Sequence, residues 1–509
     1  MALGISLILI GFIQIFHQIC LERNVKSKKI ESLGGLAPRV NANWIFFGSD
    51  FLWSSVQHAI RQDDFSFWSS NFRRWGAPQR PWTFETKFFS TRMVFTADED
   101  NIKAILSTQF EDFGKGEDFR RGFHDFLGDS VFTTDGHQWK AYRKLLRPHF
   151  SKYRVSDLDI LERHVQVFLP LLSAPETVDV KDLFLRLSLD TFTDSFLDNS
   201  AASLITPDND LARAFNDVQR IQYLMSRAGP LRVFLHKGRF HEGLRKLDKL
   251  VQPAIQRALT LGKTEQAETD NNKESTFLEG LSGISDEKAI RNQVLSLLMA
   301  GRDTTAYALS WMFYHLGQQP DIVERLQQEI ISNVGPRKPT YQELKTLSLL
   351  QNTIKETLRL YPALPFNVRV STKDTSLPRG GGHDGLSPIG VLRNTPISFS
   401  TLLLHRKPDS YSLTSTDFPN PKDFAPDRWC SWSPDKWTYM PFSVGPRTCI
   451  GQDFAMTHMA YVAVRILQTY KTIECPMEEG PGEKCELLLM PSKEVQLAFR
   501  TYFTGHNKV

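Results

Sequence analysis

The stretch FSVGPRTCIG, Phe442 to Gly451, sets a Phe, two glycines, an Arg and a single Cys within ten positions. Cys449 is the residue able to act as a soft metal ligand or a nucleophile. A lone cysteine is most often a buried structural thiol, but these neighbours fit another task. Gly445 and Gly451 bracket it, which suits backbone that takes positive φ or passes close to a flat ligand. Arg447 is a fixed cation whose planar fork matches a carboxylate. Phe442 offers a ring to lie against an aromatic plane. A helix expected to begin near Ile450 aims its first N–H groups at the sulfur and stabilises a thiolate. One ligand satisfies every feature: a flat, carboxylate-bearing, iron-containing ring, a heme with Cys449 on its iron.

Other segments carry their own chemistry. LLMAGRDTTAYALSW places Gly301, Asp303, Thr304 and Thr305 inside a long apolar helical pattern. A helix N-cap at Asp303 or Thr304 is the bland reading, but apolar periodicity continues on both sides. A Gly followed by hydroxyl residues can loosen the helical ladder and open a groove. KETLRLYP sets Glu356 and Arg359 on one helix face before a Pro that ends the helix, a pairing also common on surface helices. DGHQWKAYRKLLRPHF puts Trp139 and Arg143 on one face, beside Lys140, Lys144 and Arg147, which suit an exposed basic helix. RGGGHDG (Arg379 to Gly385) lacks the Lys-Ser/Thr of a phosphate loop, and no helical pattern opens after it, so it reads as a turn between strands.

Taken together, FSVGPRTCIG, AGRDTT, KETLRLYP with FAPDRW, and the Trp139–Arg143 segment resemble the cytochrome P-450 monooxygenases from about Asn41 to the C-terminus. FLGDSVFTTDGHQWKAYRKLLRPHF and DTSLPRGGGHDGLSPI are similar to the fungal alkane and fatty-acid hydroxylases of that family. YSLTSTDFPNPKDFAPDRW is several residues longer than the usual segment, VLRNTPIS lacks the usual Lys-Gly turn, and Asp427 stands where Glu is more common. Those departures keep open a tailoring enzyme acting on a polyketide or terpenoid. The resemblance implies heme b with Cys449 as axial iron ligand and Phe442 beside the ring. It implies Trp139, Arg143, Arg369 and Arg447 as propionate donors, and Glu356, Arg359 and Arg428 as a buried network on the thiolate side. It also implies that Thr304 hydrogen-bonds the iron-bound oxygen while Asp303 relays protons. The implied activity is reductive O2 activation, with one oxygen entering a C–H bond. No G-x-G-x-x-G follows a strand, so electrons are expected from a separate NADPH–cytochrome P-450 reductase, for which the Lys140, Lys144 and Arg147 face is a candidate dock. Two rivals are a hydroperoxide-consuming isomerase or dehydratase, disfavoured by the Asp303–Thr304 pair, and a heme-binding sensor, for which no coupling module is visible.

The rest of the chain must position these residues. Its 509 residues are 41% hydrophobic and 23% charged with 36 Phe, enough for a large core. A net charge of +4 is too weak to argue for nucleic acid. Five cysteines without a CxxC pair point to a reducing compartment rather than a disulfide or zinc scaffold. Helical patterns dominate, as in Ala289 to Gly317 and Thr340 to Leu360, with strand-like pieces between Asn367 and Ser400. The polar run Leu261 to Gly280 reads as a surface loop. The expected fold is mainly α with a minor β part, one large domain over residues 41–509. Residues 1–20 are apolar and are followed by Arg23, Lys26, Lys28 and Lys29. That order favours a single-pass anchor in the endoplasmic reticulum membrane, with the catalytic domain cytosolic, over a cleaved signal peptide. Residues 21–40 form a basic linker. A lipophilic substrate is expected against Phe123, Phe126, Phe132, Leu297, Leu298, Ala363, Leu364 and Phe366, though core packing competes for each of them.

Overall fold

The computed structural model describes residues 17–18, 21–40, 49–88, 91–150, 158–173, 175–207, 210–228, 235–264, 277–281, 284, 286–408 and 420–502. The chain forms two compact units. The first comprises Met1–Gly116, Phe366–Leu404 and Val444–Arg447; the second comprises Glu117–Pro365, His405–Ser443 and Thr448–Val509.

In the first unit, helices α1 (Ser49–Arg61) and α2 (Asp64–Trp75) accompany strands β1 (Thr83–Phe88), β2 (Thr91–Thr96), β3 (Phe113–Gly114), β4 (Phe366–Ser371), β5 (Thr375–Gly381), β6 (Ser387–Val391) and β7 (Pro396–Ser400). Five strands make a sheet in the order β1-β2-β7-β4-β3, antiparallel except for the β2–β7 pair. Phe51, Phe67, Trp68, Phe72, Phe84 and Phe95 form its aromatic core, with Phe84 and Phe95 stacked at 5.1 Å. The strand-like pieces expected between Asn367 and Ser400 are β4 to β7. RGGGHDG is the turn of the β5–β6 hairpin, as expected: Gly380, Gly382 and Gly385 have φ of 108°, 73° and 77°, which only glycine adopts at little cost. Residues 21–32, within the expected linker, are helical, and just after them the Gly35 carbonyl accepts the Gly390 amide of β6 at 2.8 Å.

The second unit is mainly helical: α3 (Glu117–Leu127), α4 (Gly136–Leu146), α5 (Asp159–Phe168), α6 (Val180–Leu197), α7 (Asp210–Ala228), α8 (Gly238–Thr264), α9 (Glu287–Leu316), α10 (Pro320–Asn333), α11 (Ser348–Leu360) and α12 (Gln452–Thr469). Strands β8 (Tyr470–Glu474), β9 (Glu483–Cys485), β10 (Leu489–Pro491) and β11 (Gln496–Thr501) complete it. α9 is apolar almost all round and correspondingly buried, the mark of a central helix. Its second half packs with α10, α11 and α12 in one hydrophobic cluster.

Two expectations are revised. Thr340 to Leu360 is not one helix: it divides at Leu347, whose ψ of 89° leaves the helical region. Thr340 and Glu343 close a capping box that fixes the short first piece. The Glu329 carboxylate accepts the amides of Leu349 and Leu350 at 2.8 and 3.1 Å, holding the start of α11. The polar run Leu261 to Gly280 is shorter as a loop than expected: α8 continues through Thr264 and Phe277–Leu281 is helical, with residues 265–276 outside the described residues. Of the expected anchor, residues 1–20, all but 17 and 18 also lie outside them. No described helix is long and apolar enough to cross a membrane.

Candidate active site

Cys449 stands three residues before α12, whose N-cap is Gly451, so the helix begins slightly later than expected. The Phe442 carbonyl accepts the Cys449 amide at 2.9 Å and closes the loop on itself. Gly445 has φ of 79°, and a Cβ there would meet the Leu106 carbonyl oxygen, also in the first unit, at 1.9 Å. The backbone thus needs glycine twice over. Burial pushes the Cys449 thiol up, while the Gly451 amide and the Arg143 charge draw it down. Cys449 nonetheless keeps an open surface. A deeply set sulfur with one free face is what an axial ligand requires.

α4 supplies Trp139, buried, and Arg143 one turn on, with its guanidinium carbon 5.9 Å from the indole centroid. Burial lowers the Arg143 pKa, and among the described residues it makes no ion pair with a carboxylate. A desolvated guanidinium needs an anion. These two features, the open sulfur and the carboxylate-free arginine, fit a heme with propionates. Lys140, Lys144 and Arg147 lie on the exposed face of the same segment.

The thiolate-side network expected from KETLRLYP and FAPDRW is present and fully buried. Glu356 accepts from Arg359 Nε and Nη2 at 2.7 and 2.8 Å, from Arg428 Nε at 3.4 Å and from the Ala425 amide at 3.0 Å. Trp429 Nε1 donates to it at 3.0 Å, a partner the sequence reading missed. The arginines donate onward to the carbonyls of Pro421, Asp423 and Asn420. His405 was also missed. Its Nδ1 donates to the Arg359 carbonyl at 3.2 Å and its Nε2 accepts the Met440 amide at 2.8 Å. Burial lowers His405 to about 3, so the ring is neutral. Asp427 stays out of this network and pairs with Arg325 at the surface.

On α9 the helix runs unbroken through Gly301 to Thr305, so the expected loosening of the ladder is not observed. Gly301 serves close packing instead, since a Cβ there would meet the Phe192 ring of α6 at 2.1 Å. Thr304 donates its hydroxyl to the Ala300 carbonyl at 2.7 Å. Asp303 points into the protein: both it and Arg302 are buried, with Arg302 Nη1 3.1 Å from Asp303 Oδ1. Arg302 also donates to Asn216 of α7 at 2.8 Å and lies over Phe215 at 5.0 Å. The Asp303 oxygens have no aligned hydrogen bond among the described residues. Burial pushes the Asp303 carboxyl up, opposed by Arg302 and Gln219.

Cys449, Phe442, Trp139, Arg143, Asp303 and Thr304 therefore belong to the second unit, whereas Arg369 and Arg447 belong to the first. Arg369 is buried and donates to the Asn367 side chain at 2.7 Å.

Comparison with known proteins gives a concordant result. The family described as Cytochrome P450 matches residues 81–499. Cytochrome P450 monooxygenase pvhE of Talaromyces variabilis is 40% identical over 502 residues, covering 94% of this chain and 92% of its own. Cytochrome P450 52A4 of Candida maltosa is 35% identical, covering 77% and 75%, and cytochrome P450 52A1 of Candida tropicalis is 36% identical, covering 82% and 80%. With the cysteine loop, the buried Glu–Arg–Arg network and the central helix all in place, the chain belongs to the cytochrome P450 family.

Proposed function

We propose that this protein hydroxylates a lipophile with a long aliphatic portion, as a heme-thiolate monooxygenase supplied by a separate NADPH–cytochrome P-450 reductase. In this reading residues 1–20 anchor it in the endoplasmic reticulum membrane, with the catalytic domain in the cytosol. The observation that carries the heme chemistry is Cys449, deeply set with an open face beside Arg143, which pairs with no carboxylate among the described residues. The aliphatic preference is supported by the likeness of two segments to alkane and fatty-acid hydroxylases and by the apolar character of the expected walls. Phe126 and Leu298 are fully buried and act as core, whereas Phe132 and Leu364 retain surface. Walls of this kind hold a ligand by burial, about 25 cal/mol per Å² of apolar area, and leave position to shape.

Heme, when bound, supplies the iron at which dioxygen is reduced and from which one oxygen reaches the substrate. Cys449 would hold that iron, and the metal charge would keep the sulfur deprotonated. Arg143 and Trp139 from α4 would hold propionates, the role that the family resemblance also implies for Arg369 and Arg447. The Thr304 O–H is committed to Ala300, so its lone pairs face outward and accept a proton-bearing group; donation requires the hydroxyl to rotate. Asp303, whose burial favours the protonated form, is suited to carry a proton, with Arg302 restraining it.

A second reading, tailoring of a polyketide or terpenoid, is favoured by the 40% match along nearly the whole chain to a monooxygenase named outside the 52A group. Titrating the full-length protein with fatty acids, alkanes, terpenoids and polyketides while following the heme spin state separates the two. A high-spin shift with long-chain acids or alkanes supports the first reading, and a response to terpenoids or polyketides alone supports the second. A response confined to small polar ligands overturns both.

A further inference from the structure

Four rings of the second unit form an assembly that the monooxygenase chemistry leaves unused. Trp311 and His315 lie one turn apart on α9, and Tyr361 follows the end of α11. The Trp311 and Tyr361 rings are parallel, with centroids 3.9 Å apart and 5° between planes. The Tyr361 phenol oxygen is 2.9 Å from His315 Nε2. His315 is stacked in turn on Phe424 at 4.4 Å and 2°. Arg406 lies over the Tyr361 ring at 5.3 Å, its charge answered by Glu483 at 2.9 Å.

The arrangement is more specific than packing needs. A phenylalanine at 361 would fill the same stack, yet a phenol and an imidazole are paired inside the protein. Burial drives His315 down to about 3, so it is a neutral base, and burial pushes Tyr361 up, so it is a neutral phenol. Removing an electron from a phenol makes it strongly acidic. In a site that disfavours charge, the electron leaves readily only where a base in contact takes the proton at once. His315 is that base. Trp311 differs: its indole N–H has no hydrogen-bond partner among the described residues, so an oxidised Trp311 keeps its charge and draws an electron from Tyr361. Trp311 belongs to the hydrophobic cluster against which Tyr361, Phe442, Ala455 and Met456 pack, the last three lying six or seven residues from Cys449 in sequence.

We propose that Tyr361 and His315 form a redox-active pair, with Trp311 as its electron relay, that drains oxidising equivalents from the heme when no substrate consumes them. In the step, Trp311 gives one electron to a heme oxidised above its resting state, and Tyr361 returns one to Trp311. The Tyr361 O–H bond breaks and an N–H bond forms on His315 Nε2, leaving a neutral tyrosyl radical beside an imidazolium. A cellular thiol or ascorbate-type reductant then supplies one electron to Tyr361, the proton returns from His315, and the heme has gained one electron overall. The proposal rests on the heme-thiolate reading above.

The test mixes the substrate-free, heme-loaded full-length enzyme with hydrogen peroxide and freeze-quenches it for electron paramagnetic resonance. A tyrosyl signal is expected that narrows with ring-deuterated tyrosine and is lost in Tyr361→Phe, which keeps the stack, while the Soret band of the resting variant is unchanged. His315→Phe, which keeps the ring on Phe424 but removes the base, should lose the signal as well and bleach its heme sooner. In a second arm, a flash-generated ruthenium(III) polypyridyl oxidant replaces peroxide, so the tyrosyl absorbance reports on the pair without the heme. An equal signal in Tyr361→Phe overturns the proposal, as does no signal in either arm. A signal with ruthenium but none with peroxide overturns the drain from the heme. Absence of a thiolate heme would overturn the functional reading separately, with the ruthenium arm still deciding the pair.

Discussion

Two regions of the second unit bury an acid with a cation, and they are built in opposite ways. At Glu356 five donors converge on one carboxylate, and the arginines spend their remaining N–H groups on backbone carbonyls. At Asp303 the carboxylate faces Arg302 at 3.1 Å, and among the described residues neither its oxygens nor Arg302 Nε has an aligned hydrogen bond. A satisfied buried network is rigid, and removing one member is costly. In an unsatisfied one burial favours the neutral acid and a nearby cation opposes it, so its protonation state answers to its surroundings. The thiolate side is therefore a scaffold, and the α9 side is a place where protonation can change.

The predictions sharpen that contrast. Cys449→Ala should abolish the thiolate-type Soret band of the reduced carbon monoxide complex altogether; if the band survives, another residue holds the iron. Glu356→Ala leaves two buried guanidinium groups uncompensated and should cost about 3–5 kcal/mol, read as lost heme retention and a lower denaturation midpoint. Asp303→Asn has little hydrogen bonding to lose and should cost about 1 kcal/mol, yet divert NADPH electrons from product to peroxide. Thr304→Ala should do the same with normal heme content. Equal destabilisation in Glu356→Ala and Asp303→Asn would erase the distinction between the regions.

The two regions also carry opposite signs in pH dependence. His405 falls from 6.5 to about 3 on folding, so its contribution is complete above 6.5 and lost as pH falls toward 3. Asp303 is raised on folding, so its contribution is present below its ordinary 3.8 and lost as pH rises through its folded value. Thermal midpoints measured across this range should fall more gently on acidification in His405→Gln and more steeply in Asp303→Asn. Parallel curves for all three proteins would remove the assigned titrations.

What could be seen in the sequence was the chemistry that demands particular residue types. Cys449 with its glycines and the Glu356–Arg359 pair were legible because few alternatives do their work, and α9 was legible from its length and apolarity. The strands β4 to β7 announced themselves through Gly and Pro punctuation. What stayed hidden depends on distant chain segments. Trp429 and His405 reach Glu356 and Arg359 from residues far along the chain, and no local pattern marks them. Asp303 was expected to relay protons, and nothing local to it showed that Arg302, held by Asn216 of α7, would pair with it inside the protein. Gly301 was noticed for the right reason, its oddness in an apolar helix, and given the wrong cause; the Phe192 ring explains it.

The short segment Val444–Arg447 belongs to the first unit although the residues on both sides of it belong to the second. This has a consequence for biosynthesis. Domains commonly finish folding one after another as the chain leaves the ribosome, the N-terminal one first. Here the N-terminal unit lacks its last piece until residue 447 of 509 has been made. The N-terminal unit therefore stays incomplete through most of translation, and a chain begun after Gly116 would hold every segment of the second unit but only two of the three segments of the first.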